Sequence, residues 1–191
     1  KMKKINTYIS EKLKITKSNI KNIKKTIVAE DFKHLHNIIE NEINKNGIHC
    51  SLNHIDISNI DNISYCFYNI RKFDGDISDW DVSSVENMDC MFWGIGNEAD
   101  DFDPEKFDLS KWDVSSVTDM SSMFAHSSFN SDISNWDVSN VESMNSMFMY
   151  SDFNQDISSW VISSDTDTRD MFDNCPLHDG GEFRDDWKPV E

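Results

Sequence analysis

The chain holds few of the residues that break or staple a backbone: 6 Gly, 3 Pro and 4 Cys in 191 residues. So little Gly and Pro excludes a collagen-like or Pro/Gly-rich disordered chain. Cys50, Cys66, Cys90 and Cys175 include no CxxC pair and no zinc-type spacing with histidine, so neither a disulfide framework nor a metal site is encoded. Long apolar runs are missing too, and at 38% hydrophobic residues no membrane span is expected. The opening KMKK is followed by INTYISEKLKITKSNIKNIKK, which contains no apolar core of a secretion signal. An intracellular or virion location is therefore favoured over a cell surface.

Cations are scarce outside the N-terminal segment. Residues 1–25 contain nine lysines and one acid, Glu11, giving +8; a net charge of −17 then leaves −17 − 8 = −25 for residues 26–191. That body has 18 − 9 = 9 Lys and Arg, too few to make direct nucleic-acid binding by counterion release an expected activity. Basic partners and cations remain compatible with such a charge.

What the chain has in abundance is self-similarity. FDGDISDWDVSSVENMDCMF from Phe73, FNSDISNWDVSNVESMNSMF from Phe129 and FNQDISSWVISSDTDTRDMF from Phe153 align almost without gaps. FDLSKWDVSSVTDMSSMF from Phe107 is a further copy, and IDISNIDNISYCF from Ile55 a degenerate first one. Trp112, Trp136 and Trp160 fall 24 residues apart, whereas Trp80 and Trp112 are separated by 32, which places an acidic insertion at 94–106. Repeats of this length cannot bury an apolar side alone, so they are expected to stack.

Within each copy, F-x-x-D-I-S reads as a short strand and V-x-x-M-x-x-M-F as one face of a short helix. Val117, Met120, Met123 and Phe124 carry that pattern, and Val141, Met144, Met147 and Phe148 repeat it. Ser83 with Glu86 and Ser139 with Glu142 have the spacing of a helix capping box. The predicted fold class is an α/β solenoid, a coil of short parallel strands and short helices. Its core would be built from ladders of Phe, of Ile or Leu, and of Met-Phe pairs.

Four segments follow: a basic leader or arm at 1–25, a helical N-terminal cap at 26–50, the repeats at 51–175 and a capping tail at 176–191. In the cap, Phe32, Leu35, Ile38, Ile39 and Ile43 recur at helical spacing, and Gly47 ends the pattern. In the last repeat Asp165 and Thr168 replace apolar residues, and Phe183 and Trp187 of the tail are available to cover it.

The run DISNWDVSNVESMNSMF resembles the repeat of BspA-like leucine-rich-repeat surface proteins, in their W-D-V-S…M-x-x-M-F variety, over about residues 52–175. The resemblance implies a leucine-rich-repeat-like right-handed solenoid that acts as an adhesin or binding surface and not as an enzyme. The segment MKKINTYISEKLKI is similar to the short basic leaders of some tailed-phage proteins.

Candidate sites each carry two readings. Asp76, Asp108, Asp132 and Asp156 share one repeat position, and Asp81, Asp113 and Asp137 another. Stacked carboxylates suit calcium, or each Asp accepts backbone N–H groups in its own turn. No Gly-rich calcium loop accompanies them, and no cofactor or metal is expected. Trp80, Trp112, Trp136 and Trp160 read either as an exposed contact stripe or as a structural ladder beside Met120, Phe124, Met144 and Phe148. Asp100 and Asp101, in the insertion, are further binding candidates. His34 and His36 point to different sides of a helix, and nothing brings together a nucleophile, a base and an orienting group. The expected function is a non-enzymatic protein-interaction or adhesion module with a protein or surface ligand. A phage virion-associated protein with self-assembly contacts and an acidic DNA-mimic inhibitor are the alternatives.

Overall fold

The computed structural model describes residues 26–98, 102–104 and 107–179. The leader, Asp100, Asp101, Phe183 and Trp187 lie outside the described residues.

Chain order begins with β1 (Ile27–Val28), α1 (Phe32–Asn46) and β2 (Ile55–Asp56), and β1 pairs in parallel with β2 in the register Ile27 to Ile55. Helix α1 occupies the segment whose apolar spacing predicts it. Asp31 caps its start by accepting the His34 backbone N–H at 2.7 Å, and Gly47, at φ 88°, ends it with an N–H donated to the Ile43 carbonyl. Leu35, Ile38 and Ile39 are buried, one helical face turned into the same core as Leu52 and Ile55. On the flank of that contact His54 Nε2 meets Glu42 Oε2 at 3.4 Å, tying helix to first repeat.

From there the repeats lie side by side. Single parallel bridges link Asn62 to Asn87, Asn87 to Asp119, Asp119 to Ser143 and Ser143 to Asp167, one position from each copy. The fold ends in the one-turn helix α2 (Pro176–Asp179).

The V-x-x-M-x-x-M-F segments, expected as short helices, are not helical. In the third copy the N–H groups of Met120, Ser122, Phe124 and His126 donate to the carbonyls of Ser143, Asn145, Met147 and Met149 in the next copy. The alternate N–H groups, of Met123 and Ala125, close tight turns on Met120 and Ser122. Ser122 and His126 adopt left-handed backbone at φ 52° and 56°, and Ser146 and Tyr150 repeat this at 56° and 55°. A left-handed non-glycine residue costs about 1–2 kcal/mol. Here it turns every second N–H along the stack, so each costly residue is matched by bonds to the neighbouring repeat. A chain of such turns returns to the core every three residues, which mimics helical spacing.

The proposed capping boxes fail for the same reason. Ser83 Oγ donates to Asp81 at 2.6 Å and Ser139 Oγ to Asp137 at 2.7 Å, while the Glu86 N–H donates to the Asp61 carbonyl of the preceding copy. Nor are the F-x-x-D-I-S segments strands. Each Asp captures the N–H two residues on, and the Trp N–H turns back to the Ile or Leu carbonyl, as Trp136 does to Ile133.

The core is a set of ladders. Phe67, Phe92, Phe124, Phe148 and Phe172 are linked ring to ring at 5.4, 5.6, 5.8 and 5.9 Å. A second file of Phe73, Phe107, Phe129 and Phe153 packs inside it, with Phe129 only 4.0 Å from Phe124. Phe129 and Phe153 stack within 2° of parallel, but Phe107 stands edge-on to Phe73 and Phe129, at 84° and 82°. Phe107 follows the insertion, whose Phe102 ring lies 6.0 Å away.

Candidate functional site

The aspartates of the first ladder sit in turns. Asp76, Asp108, Asp132 and Asp156 accept the backbone N–H of Ser78, Ser110, Ser134 and Ser158 at 2.9–3.0 Å. Asp81, Asp113 and Asp137 accept both N–H and hydroxyl from Ser83, Ser115 and Ser139. Donation from the Ser110 hydroxyl and N–H, with Lys111 nearby, holds the Asp108 carboxyl below the usual range. The Ser134 N–H and hydroxyl do the same for Asp132. Asp108 and Asp132 also line an open recess of about 460 Å³ with Pro104, Ser110, Asn130 and Gln155. Among the described residues no three His, Cys, Asp or Glu side chains converge to hold a metal ion.

The four repeat tryptophans are interior. Trp80, Trp112, Trp136 and Trp160 are each 4% exposed. Their indole N–H groups donate to the carbonyls of Leu52, Ile77, Leu109 and Ile133, the apolar residue of the preceding copy, at 3.0–3.2 Å. The bond explains the Trp: its apolar ring fills the layer, and its N–H adds a link between copies at a carbonyl that otherwise accepts a backbone N–H three residues on. Met120, Phe124, Met144 and Phe148 are fully buried beside them.

The nearest approach to a catalytic pair is His49 Nδ1 against Asp74 Oδ1. Cys50 adjoins it in sequence, but burial pushes that thiol up, with the charge of Glu42 adding to the effect, opposite to what an activated thiolate needs. Burial likewise raises Cys66, which occupies the Met position of its repeat, and none of the four cysteines is in a disulfide.

The exposed feature absent from the sequence reading is an aromatic ribbon. Tyr65 and Tyr68 lie 5.5 Å apart, Tyr68 and Trp93 5.0 Å, Trp93 and His126 5.0 Å, and His126 and Tyr150 5.0 Å with rings only 12° from parallel. It crosses the successive copies on their outer side, and Tyr65 and Tyr150 are about half exposed, at 48% and 50%. The Arg71 guanidinium lies over Trp93 at 4.5 Å, and its Nη1 donates to Glu98 at 3.2 Å. Gly94 makes room for it: a Cβ there would come 3.2 Å from Arg71 Cδ. Trp93 follows its ladder Phe by one residue, whereas His126 and Tyr150 follow theirs by two, so the alignment of repeats does not show the ribbon. The left-handed residues His126 and Tyr150 turn their side chains outward to meet it.

Among the described residues no helix is long and apolar enough to cross a membrane. The geometry thus defines a repeat protein with aspartate-closed polar turns and an outer aromatic file that is half exposed at Tyr65 and Tyr150. Residues 33–105 and 97–180 match the family described as Mycoplasma protein of unknown function, DUF285. The matches span most of the chain, and the protein belongs to that family. No curated protein and no solved structure matched.

Proposed function

We propose that this chain is a non-enzymatic interaction module on a solenoid scaffold of the leucine-rich-repeat-like, BspA-like kind that its W-D-V-S…M-x-x-M-F repeats resemble. The observation that carries the reading is the ribbon from Tyr65 to Tyr150. Partly exposed aromatic rings held in a fixed file supply contact area at low entropic cost, and Trp, Tyr and Arg are the residues that dominate contact energies. The turn aspartates support the same reading from the other side, since one oxygen of each is already engaged by a donor of its own turn.

The test sets immobilised matrix-type surface proteins beside basic nucleic-acid-binding proteins, at low and high salt. Wild type is compared with the Tyr68→Ser/Tyr150→Ser double variant. An interaction module predicts partner binding that survives salt and is lost in the double variant. Binding restricted to basic nucleic-acid proteins, steeply weakened by salt and indifferent to the ribbon, would instead make the chain an acidic DNA mimic.

A further inference from the structure

The ribbon has two unequal ends. Near its first end the chain's own cation lies against the second and third rings: the Arg71 guanidinium is 4.5 Å from the Trp93 ring centre and 6.0 Å from that of Tyr68, while Tyr65 beyond them is 48% exposed. Glu98 pairs with that guanidinium at 3.2 Å. Among the described residues the file stops at its second end. Tyr150 stacks on His126 with one face, and the corresponding residue of the next copy is Asn174, which shares the left-handed backbone at φ 52° but carries no ring. Tyr150 remains 50% exposed.

Carboxylates flank that open end. The Tyr150 N–H donates to the carbonyl of Asp173 at 2.8 Å, so Asp173 is its neighbour in the next copy. Asp152 lies two residues beyond Tyr150 and is exposed, its N–H fixed on the Ser127 carbonyl at 2.9 Å. Asp170 is exposed in the same turn as Asp173. Residues 26–191 as a whole carry −25. Aromatic face plus neighbouring carboxylate is the arrangement that holds Arg71, over Trp93 and beside Glu98.

We infer that the outward face of Tyr150 is a seat for an arginine side chain of a basic peptide segment on a partner protein, with Asp152 and Asp173 balancing its charge. The inference rests on the interaction-module reading and names its partner chemistry. Arg suits the seat better than Lys, because a planar guanidinium stacks on a ring while its edge still donates to carboxylate. Long-range attraction by the acidic body would speed the encounter, and the stack would supply the selectivity.

The test titrates labelled peptides of equal length, rich in Arg, Lys or Glu, onto the full chain and reads fluorescence anisotropy. The Arg peptide should saturate and bind more tightly than the Lys peptide, and the Glu peptide should not bind. Tyr150→Ser should weaken the Arg peptide about tenfold, while Tyr150→Phe stays within about twofold, since the ring face and not the hydroxyl makes the seat. Thermal melts of both variants check that they fold. Equal affinity for wild type and Tyr150→Ser overturns the seat, as does Arg and Lys binding that is alike and collapses together in salt. Loss of partner capture in the Tyr68→Ser/Tyr150→Ser variant without any peptide binding leaves the ribbon as a contact surface and removes the cation seat. Peptide binding that needs Tyr150, in a chain that captures no partner in the panel, keeps the seat and removes the broader reading.

Discussion

The indole N–H of Trp136 donates to the carbonyl of Leu109, 3.1 Å away and one repeat earlier. Both residues are buried, so a Trp136→Phe change removes this bond between copies and leaves the carbonyl only the Trp112 backbone N–H at 3.1 Å. Losing one net hydrogen bond costs about 0.5–1.5 kcal/mol, before any loss of packing. In a chain of this size the thermal midpoint should fall about 2–4 °C for each kcal/mol. A melt unchanged from wild type would mean the bond contributes nothing.

Ser122 distinguishes the observed backbone from a helix by the sign of a single substitution. At φ 52° a Cβ is disfavoured, so Ser122→Gly should keep or raise stability, by up to about 1 kcal/mol. In a helix the same change would lose stability, by roughly 0.5–1 kcal/mol. Urea unfolding of the two proteins settles the sign, and Ser122→Pro should fail to fold because its N–H is donated to Asn145 at 2.8 Å.

Acid should unfold the chain through its turns. The Ser110 hydroxyl and N–H and the neighbouring Lys111 hold Asp108 below its ordinary value, and Arg169 holds Asp167 down to about 2. A carboxyl whose folded value is depressed contributes stability above its unfolded value, near about 3.9, and loses it as pH falls through the folded one. The midpoint should therefore drop between about pH 4 and pH 2. Asp108→Asn should flatten part of that drop while keeping an acceptor for Ser110, whereas Asp108→Ala should destabilise at every pH.

Thiol labelling probes the core directly. Cys66 and Cys175 are buried, and Cys90 is pushed up to about 11 by burial, with Asp89 adding to the rise. All four thiols should react slowly at neutral pH in the native chain and promptly in denaturant. Rapid native labelling of Cys66 would contradict its place in the Met ladder.

Much of this architecture is written in single residues. Trp spacing gives the repeat register and the insertion, and the run from Phe32 to Ile43 with Gly47 gives α1. The Asp–x–Ser pattern gives the turns. The short helices were misread because Val117, Met120, Met123 and Phe124 recur at intervals that a helix and a series of tight three-residue turns share. What separates the two is where the N–H of Ser122 and His126 goes, and that destination lies in the next repeat. Phe73 and Phe129 are interior as their repeat position requires, but the edge-on turn of Phe107 depends on Phe102, outside the repeat. The ribbon escaped because its members differ in type and offset: Tyr68 and Trp93 follow their ladder Phe by one residue and His126 and Tyr150 by two, and only stacking brings the two columns together.

The central claim is that the ribbon binds while the interior merely folds. The most direct measurement compares Tyr68→Ser/Tyr150→Ser with Trp136→Phe for both partner binding and thermal midpoint. The account predicts that the ribbon variant melts near wild type and does not bind, and that Trp136→Phe melts lower yet binds normally at a temperature where it is folded. A ribbon variant that binds as wild type does would contradict it.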